Sequence, residues 1–382
     1  MRTYDFAVIG AGIAGASVAY ELQARGRTLL LEREPLPGYH TTGRSAAFSV
    51  ESYGNRVVQL LTRAGRAFLE DPPEGFAQHR LTHRCPVLWI ARFDQAQRLA
   101  ERARRVIAAG AELCEVSAAE AHLMCPVLRE QSIAMAVVEE QALHIDVAAL
   151  LDAYLAGFRA RGGELATRAA VTGLHSVRGS WEVCAGNARH RAGVIVNAAG
   201  AWAEEIGTLA GARPIGLVPL RRTAITFDPP GDVDITSWPC LIDADEAFYL
   251  KPEGARLLAS PCDETPFAPC DVTPDDLGVA LAVERVMRAT TLKIRHVQHR
   301  WAGLRSFVAD RAPVIGMDPE IPGLCWLAGQ GGSGIMTSSS VARAAASLIV
   351  DGALPADLKT LGITPEMLTP SRPALRSEAR GN

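Results

Sequence analysis

Gly10, Gly12 and Gly15 are spaced as G-x-G-x-x-G, directly after the apolar run from Tyr4 to Ile9 and ahead of a helix-forming stretch. Glu32 stands 22 residues after Gly10, at the end of a second apolar strand that begins near Thr28. Strand, glycines, helix and acid together make the dinucleotide-binding pattern. A glycine at 10 permits a tight turn, one at 12 lets a pyrophosphate approach the backbone, and one at 15 lets the helix pack close on the strand. Ile13 and Ala14 stand at the start of the helix expected from about Ala14 to Arg25, whose first N–H groups and positive dipole end face the phosphate. Glu32 can accept hydrogen bonds from the ribose hydroxyls of an adenosine. The motif reports the adenosine half of a cofactor and does not separate FAD from NAD.

Three further groups of residues carry chemistry. The loop Thr41–Ala47 is built from small residues that let backbone amides touch a planar ligand, and its Arg44 and Ser45 are expected to hold a pyrophosphate or a flavin edge. Gly329–Gly334 has four glycines in six residues, between an apolar strand and a helix expected from Ile335 to Val350. Its N–H groups suit a developing negative charge, such as that of a reduced flavin. Arg221, Arg222, Tyr249 and Arg305 lie in or beside apolar strand segments. An arginine aimed into a pocket grips a carboxylate with two parallel N–H···O bonds, and a tyrosine adds a third. The nine histidines form no metal-ligating spacing. His296 and His299 are placed to share a helix face, yet Arg295 and Arg300 flank them, so no metal site is expected.

The elements that must position these residues alternate in type. Residues 1–34 read as strand, helix, strand, with Gly26 as the helix stop. Asn55–Leu69 has helical periodicity, Arg80–Phe93 reads as strand, and Gln95–Gly110 and Asp146–Gly162 as helices. Thr167–Val183 reads as a hairpin, and Val194–Val196 as a buried strand. Leu217–Leu258 and Leu292–Val308 read as antiparallel strands, and Leu324–Ala328 as a strand entering the last glycine loop. The fold class expected is α/β with an α+β second domain. A Rossmann-type domain from residues 1–50, 145–215 and 300–368 would carry an antiparallel-sheet domain inserted as 51–144 and 216–299. Residues 369–382 are polar, hold two prolines and are expected to fray.

Composition narrows the classes. A chain of 382 residues with 48% hydrophobic residues has material for two domains. A net charge of −3 and no basic stripe give no support for nucleic-acid binding. Eight cysteines lie scattered without a C-x-x-C pair, which points to free thiols in a reducing compartment. The first strand begins at residue 4, which leaves no room for a cleavable signal peptide, and no apolar run nears the about 20 residues that span a bilayer. A cytoplasmic protein is expected, with peripheral membrane contact left open.

These stretches together resemble the D-amino-acid oxidase and dehydrogenase family of FAD enzymes. The resemblance rests on Tyr4–Gly15, Glu32-Arg33-Glu34, the loop Tyr39–Ala47 and Val196–Trp202. It also rests on Arg221-Arg222, Phe248–Pro252, Trp301–Asp310 and Gln330-Gly331-Gly332. Within the family the bacterial catabolic D-arginine dehydrogenases match best. The resemblance implies non-covalent FAD, touched by the first glycine loop, by Glu32 and Arg33, and by Thr42, Gly43, Arg44, Ser45, Ala46 and Ala47. It adds Val171, Ala199, Gly200, Trp202 and Gly303, then Gly331, Gly332, Gly334, Ile335 and Met336. It implies that Arg222, Tyr249 and Arg305 hold a substrate carboxylate, with Tyr53 and Gly332 in the same pocket. The reaction implied is hydride transfer from an amino-acid Cα to the flavin, followed by imine hydrolysis, with oxygen or a quinone as acceptor. Val87 stands where the D-arginine enzymes have an acid, and Phe48 where they have a histidine. Val50 and Met336 are less polar than their counterparts. A D-amino acid with an apolar or aromatic side chain is therefore expected. An oxidase of N-substituted glycines or D-proline, and an FAD-binding protein without amine chemistry, are the alternatives.

Overall fold

The computed structural model describes residues 2–231 and 233–375. From Phe6 onward the strand Arg2–Ile9 is apolar on both faces, as a central parallel strand must be. Phe6 and Val8 point into one core and Tyr4, Ala7 and Ile9 into another. The strand lies parallel between Thr28–Leu31 and Ala188–Asn197. Glu164–Ala166 and Leu324–Ala328 extend the parallel set outward, and an antiparallel meander, Val171–Val177 with Ser180–Ala185, joins Ala188–Asn197. Helices Ile13–Gln23, Val147–Ala160 and Ser338–Val350 cover one face, sharing a core with Val8, Leu30, Val196 and Leu327. This is the expected Rossmann-type sheet, built from distant segments.

A second sheet of nine strands carries the other expected element, and nearly all its pairs are antiparallel. Val87–Ala91 is the exception and runs parallel to Cys240–Asp243. A three-stranded sheet, Phe48–Ser49, Leu143–Ile145 and Thr82–Arg84, places Ile145 in the core shared with the first sheet and Phe48 against a cluster that holds Val87 and Cys240 of the second. Several expected elements lie elsewhere. Asp276–Ala289, between the two stretches that read as strands and without an expected element of its own, is a helix whose N-terminus is capped by the Asp275 carboxylate. Its Ala282 and Val286 bury against the nine-stranded sheet, so packing overrides the strand preference of its valines. His299 opens the strand His299–Phe307 and His296 lies in the coil before it, so they share no helix face. Helix Arg56–Glu70 packs in one core with Val8 and Val341, and His299–Phe307 pairs with Val218–Phe227 of the nine-stranded sheet. The crossings between the two sheets thus fall away from residues 50 and 300.

The tail also departs from expectation up to Leu375, while 376–382 lie outside the described residues. Arg372 is 4% exposed and grips both oxygens of Asp310, at 2.6 and 2.8 Å, and donates to the carbonyls of Ala312, Pro313 and Leu368. Burial alone would raise the Asp310 carboxyl, but the bonds from Arg372 and the Ala312 N–H outweigh it and hold the carboxyl below its ordinary value. A depressed folded value means stability that is present above the unfolded value and lost as pH falls through the folded one. Arg372→Met leaves Asp310 partly buried and unpaired, and should cost about 3 kcal/mol in urea unfolding near neutral pH. The deficit should shrink as the solution is acidified below pH ~4. An unchanged urea midpoint would show that the tail adds nothing to stability.

Candidate active site

The first glycine loop has the geometry its spacing implies. Gly10 has φ +99°, and a Cβ there would lie 2.6 Å from the Ala198 carbonyl oxygen. The helix that follows is capped by Gly12, with no side-chain cap and no acid in its first turn. Ile13 N–H donates to Thr42 Oγ1 at 3.0 Å, which ties the Thr41–Ala47 loop to the helix start. Glu32 is pinned by the N–H groups of Ala11, at 2.7 Å, and Glu34, at 2.9 Å.

Three cavities run end to end from this point. The first, of about 350 Å³, is bordered by Glu32, Arg33, Val171, Ala199 and Trp202. It shares Gly12, Thr42 and Gly200 with a second, of about 110 Å³, which Ile13, Ala14, Gly331 and Gly334 also border. The second shares Ser45, Arg305, Gly332 and Ile335 with a third, of about 90 Å³. Ala46, Ala47, Phe48, Val50, Tyr53, Arg222, Tyr249 and Met336 also border the third. An uncapped helix start, a pinned acid and a long trough fit FAD. The residues that would hold its adenosine are Glu32 and Trp202, those at its pyrophosphate Gly12 and Ile13, and those at its reactive end Gly332 and its neighbours.

The last glycine loop approaches closely. A Cβ on Gly332 would lie 2.6 Å from the Tyr53 hydroxyl and 3.0 Å from Arg305 Nη1, and one on Gly331, with φ +52°, 2.0 Å from Phe307. The helix behind it starts at Ser338, three residues later than Ile335, because Gly334–Thr337 forms turns.

At the far end the side chains differ in their commitments. Arg221 and Arg222 are neighbours on one strand and so face opposite sides. Arg221 turns away and pairs with Asp263 and Asp275. Arg222 faces the third cavity, with Nε on the Asp263 carbonyl and Nη2 on Glu264, both at 3.0 Å. Arg305 borders the same cavity, and its guanidinium makes no hydrogen bond or ion pair to any described residue. Burial pushes the phenols of Tyr53 and Tyr249 up, against the pull of Arg305 and Arg222. Both therefore remain neutral donors at ordinary pH.

Five expected site residues lie off the trough. The Arg44 guanidinium turns outward to Asp271 and to the carbonyls of Val272 and Ala302, bracing the loop instead of facing a phosphate. Gly303 packs on the Arg44 side chain, and Gly43 folds onto the Gly38 carbonyl. Val87 is fully buried in the apolar cluster behind Phe48 and borders none of the three cavities, so it does not line the pocket. Gly15 also borders none, and its role is packing: a Cβ there would lie 1.7 Å from the Gly10 oxygen.

Sequence reasoning missed Cys240, Ile242, Glu246 and Cys262 in the third cavity. Glu246 lies in a turn with φ +55°, unusual outside glycine, and pairs with Arg102 Nη1 at 2.9 Å. The acid-rich stretch Asp243–Glu246 before Tyr249 was the available signal. Among the described residues no cluster could hold a metal ion, and no helix is long and apolar enough to cross a membrane.

Comparison with known proteins agrees with this geometry. A family model described as DAO, FAD dependent oxidoreductase, matches residues 5–348. Hydrogen cyanide synthase subunit HcnC of Pseudomonas aeruginosa is 29% identical over 215 residues, covering 55% of this chain and 49% of that protein. Mouse mitochondrial sarcosine dehydrogenase is 26% identical over 373 residues, covering 92% of this chain and 40% of that protein. The chain thus spans half or less of the length of these relatives. The crystal structure of glycine oxidase from Geobacillus kaustophilus superposes with a TM-score of 0.81 at 21% identity, covering 93% of this chain and 96% of that one. The fold, the trough and the match over most of its length place the chain in the family of FAD-dependent oxidoreductases.

Proposed function

We propose that this chain oxidises the Cα–N bond of an amino acid whose side chain is apolar, with D stereochemistry as the family resemblance implies. The observation that carries the reading is Arg305. Its guanidinium makes no hydrogen bond or ion pair to any described residue, with only the field of Glu264 acting on it, and it is set beside Arg222 and two neutral tyrosines at the end of the trough. An unpaired cation in such a place is costly unless a ligand supplies the anion. An amino-acid carboxylate does so, held by the Arg305 fork with Arg222, Tyr249 and Tyr53 around it. The remaining wall, Phe48, Val50, Ile242 and Met336, is apolar and excludes water from the reacting carbon. When bound, FAD supplies acceptance of the hydride from Cα. The chain's own residues bind, orient and desolvate the substrate. Hydrolysis of the imine then gives a 2-oxo acid and ammonia. Glu246 is committed to Arg102 and so offers no free anion to a cationic side chain.

A second reading is an oxidase of N-substituted glycines, favoured by the likeness to sarcosine dehydrogenase. One panel separates the two. Under anaerobic conditions D-leucine, D-methionine and D-phenylalanine should bleach the flavin at least roughly tenfold more efficiently than D-arginine, a margin of about 1.4 kcal/mol. Faster bleaching by sarcosine or D-proline would transfer the proposal to secondary amines. Faster bleaching by D-arginine would overturn the apolar preference.

A further inference from the structure

We propose that Arg102, outside the pocket proper, is the positioning residue that fixes both sides of the pocket mouth. The proposal rests on the substrate-pocket reading above. Tyr53, Glu246 and Gly332 border both the substrate pocket and an outer cavity of about 740 Å³, and Tyr53 and Glu246 supply the side chains of the passage between the two. Neither sits in a regular element. Tyr53 lies in the turns before helix Arg56–Glu70, and Glu246 in the turn between strands Cys240–Asp243 and Tyr249–Glu253.

One side chain ties these two segments together. Arg102, on helix Ala96–Ala108, donates Nη1 to Glu246 at 2.9 Å and Nη2 to the Ser52 carbonyl at 3.3 Å. Its guanidinium lies 3.8 Å from the centre of the Trp89 ring. Trp89 in turn donates its indole N–H to the Ser52 hydroxyl at 3.1 Å. That hydroxyl donates to Glu139, which is 2% exposed and also accepts the N–H groups of Glu51 and Ser52 at 2.6 and 3.2 Å. Two acceptors on different segments and a stacked ring are what a planar fork can satisfy at once. A lysine ammonium offers neither the fork nor the plane. Arg102 touches none of Arg222, Tyr249 and Arg305, so its loss should loosen substrate capture while leaving the reacting geometry of bound substrate intact.

The test uses flavin-loaded Arg102→Met and Arg102→Lys with two readouts. In Arg102→Met, amide hydrogen exchange in residues 51–54 and 245–247 should both quicken about tenfold. In anaerobic flavin reduction the apparent Kd for the best amino acid should rise about tenfold with the limiting rate within twofold. Arg102→Lys should restore protection at 245–247, through the ion pair to Glu246, and not at 51–54. It also keeps the test decisive should the methionine variant fold poorly. Unchanged exchange in both segments, or a fall in limiting rate at unchanged Kd, would overturn the proposal. If no amino acid bleaches the wild-type flavin, the functional reading fails alone, and the exchange data still decide whether Arg102 holds the mouth.

Discussion

Arg305→Met should keep its flavin and its fold and bind substrate about 100-fold more weakly, because a forked, charge-assisted pair to a carboxylate is worth roughly 1.5–3 kcal/mol. The separation of effects is what makes the expectation specific. Most buried arginines are held by carboxylates of their own protein, and removing one strands an anion, as for Arg372 and Asp310. Arg305 has no such partner among the described residues. Its removal breaks no hydrogen bond or ion pair and takes away only a through-space attraction to Glu264, so Tm should stay unchanged or rise slightly. Arg305→Lys should recover only part of the affinity, since an ammonium is a point charge without the two parallel donors. The check is the concentration dependence of anaerobic flavin reduction beside a thermal melt. Unaltered substrate affinity in a variant that retains its flavin would remove Arg305 from the binding site and with it the main support for the proposed function.

Gly15→Ala should yield protein without flavin. A Cβ at this position would meet the Gly10 carbonyl oxygen at 1.7 Å and its carbon at 2.9 Å. Both are backbone atoms of the turn that faces the cofactor, so no flexible side chain can yield. The helix Ile13–Gln23 must move off its strand, and the loop Gly10–Gly12 moves with it. Overpacking of this kind costs about 1–3 kcal/mol or more in stability. Gly254→Ala is the control: Gly254, unlike Gly15, has positive φ, +58°, but a Cβ there meets nothing within 4 Å. It should lose only about 1 kcal/mol from the left-handed backbone and retain its flavin. The ratio of flavin absorbance to protein absorbance after purification reads both variants. Full flavin occupancy in Gly15→Ala would mean that the strand–helix contact is not what shapes the cofactor loop.

The features legible in the sequence were those set by short-range spacing. G-x-G-x-x-G after an apolar strand dictates a turn that only glycine permits, and Glu32 follows at the distance one helix and one strand impose. The apolar run of the first strand, continuous because both faces are covered, announced a parallel sheet. Glycine density marked the loop at 329–334, and the combination of motifs identified the family. Direction was what the sequence withheld. Strand periodicity states that Arg221 and Arg222 point to opposite faces and not which face holds the pocket. That depends on which partner strands and helices cover the sheet. Arg44 sits in a cofactor-bordering loop yet turns to Asp271, 227 positions away in sequence. Val87 matches a specificity position and is buried one layer behind it, while Glu246 reaches the pocket through a left-handed turn. Arg372 belongs to a stretch whose polarity suggests fraying and is held by five groups from other segments and its own turn. In each case local composition fixed what a residue can do. Only the burial and charge supplied by chain segments distant in sequence decided where it does it.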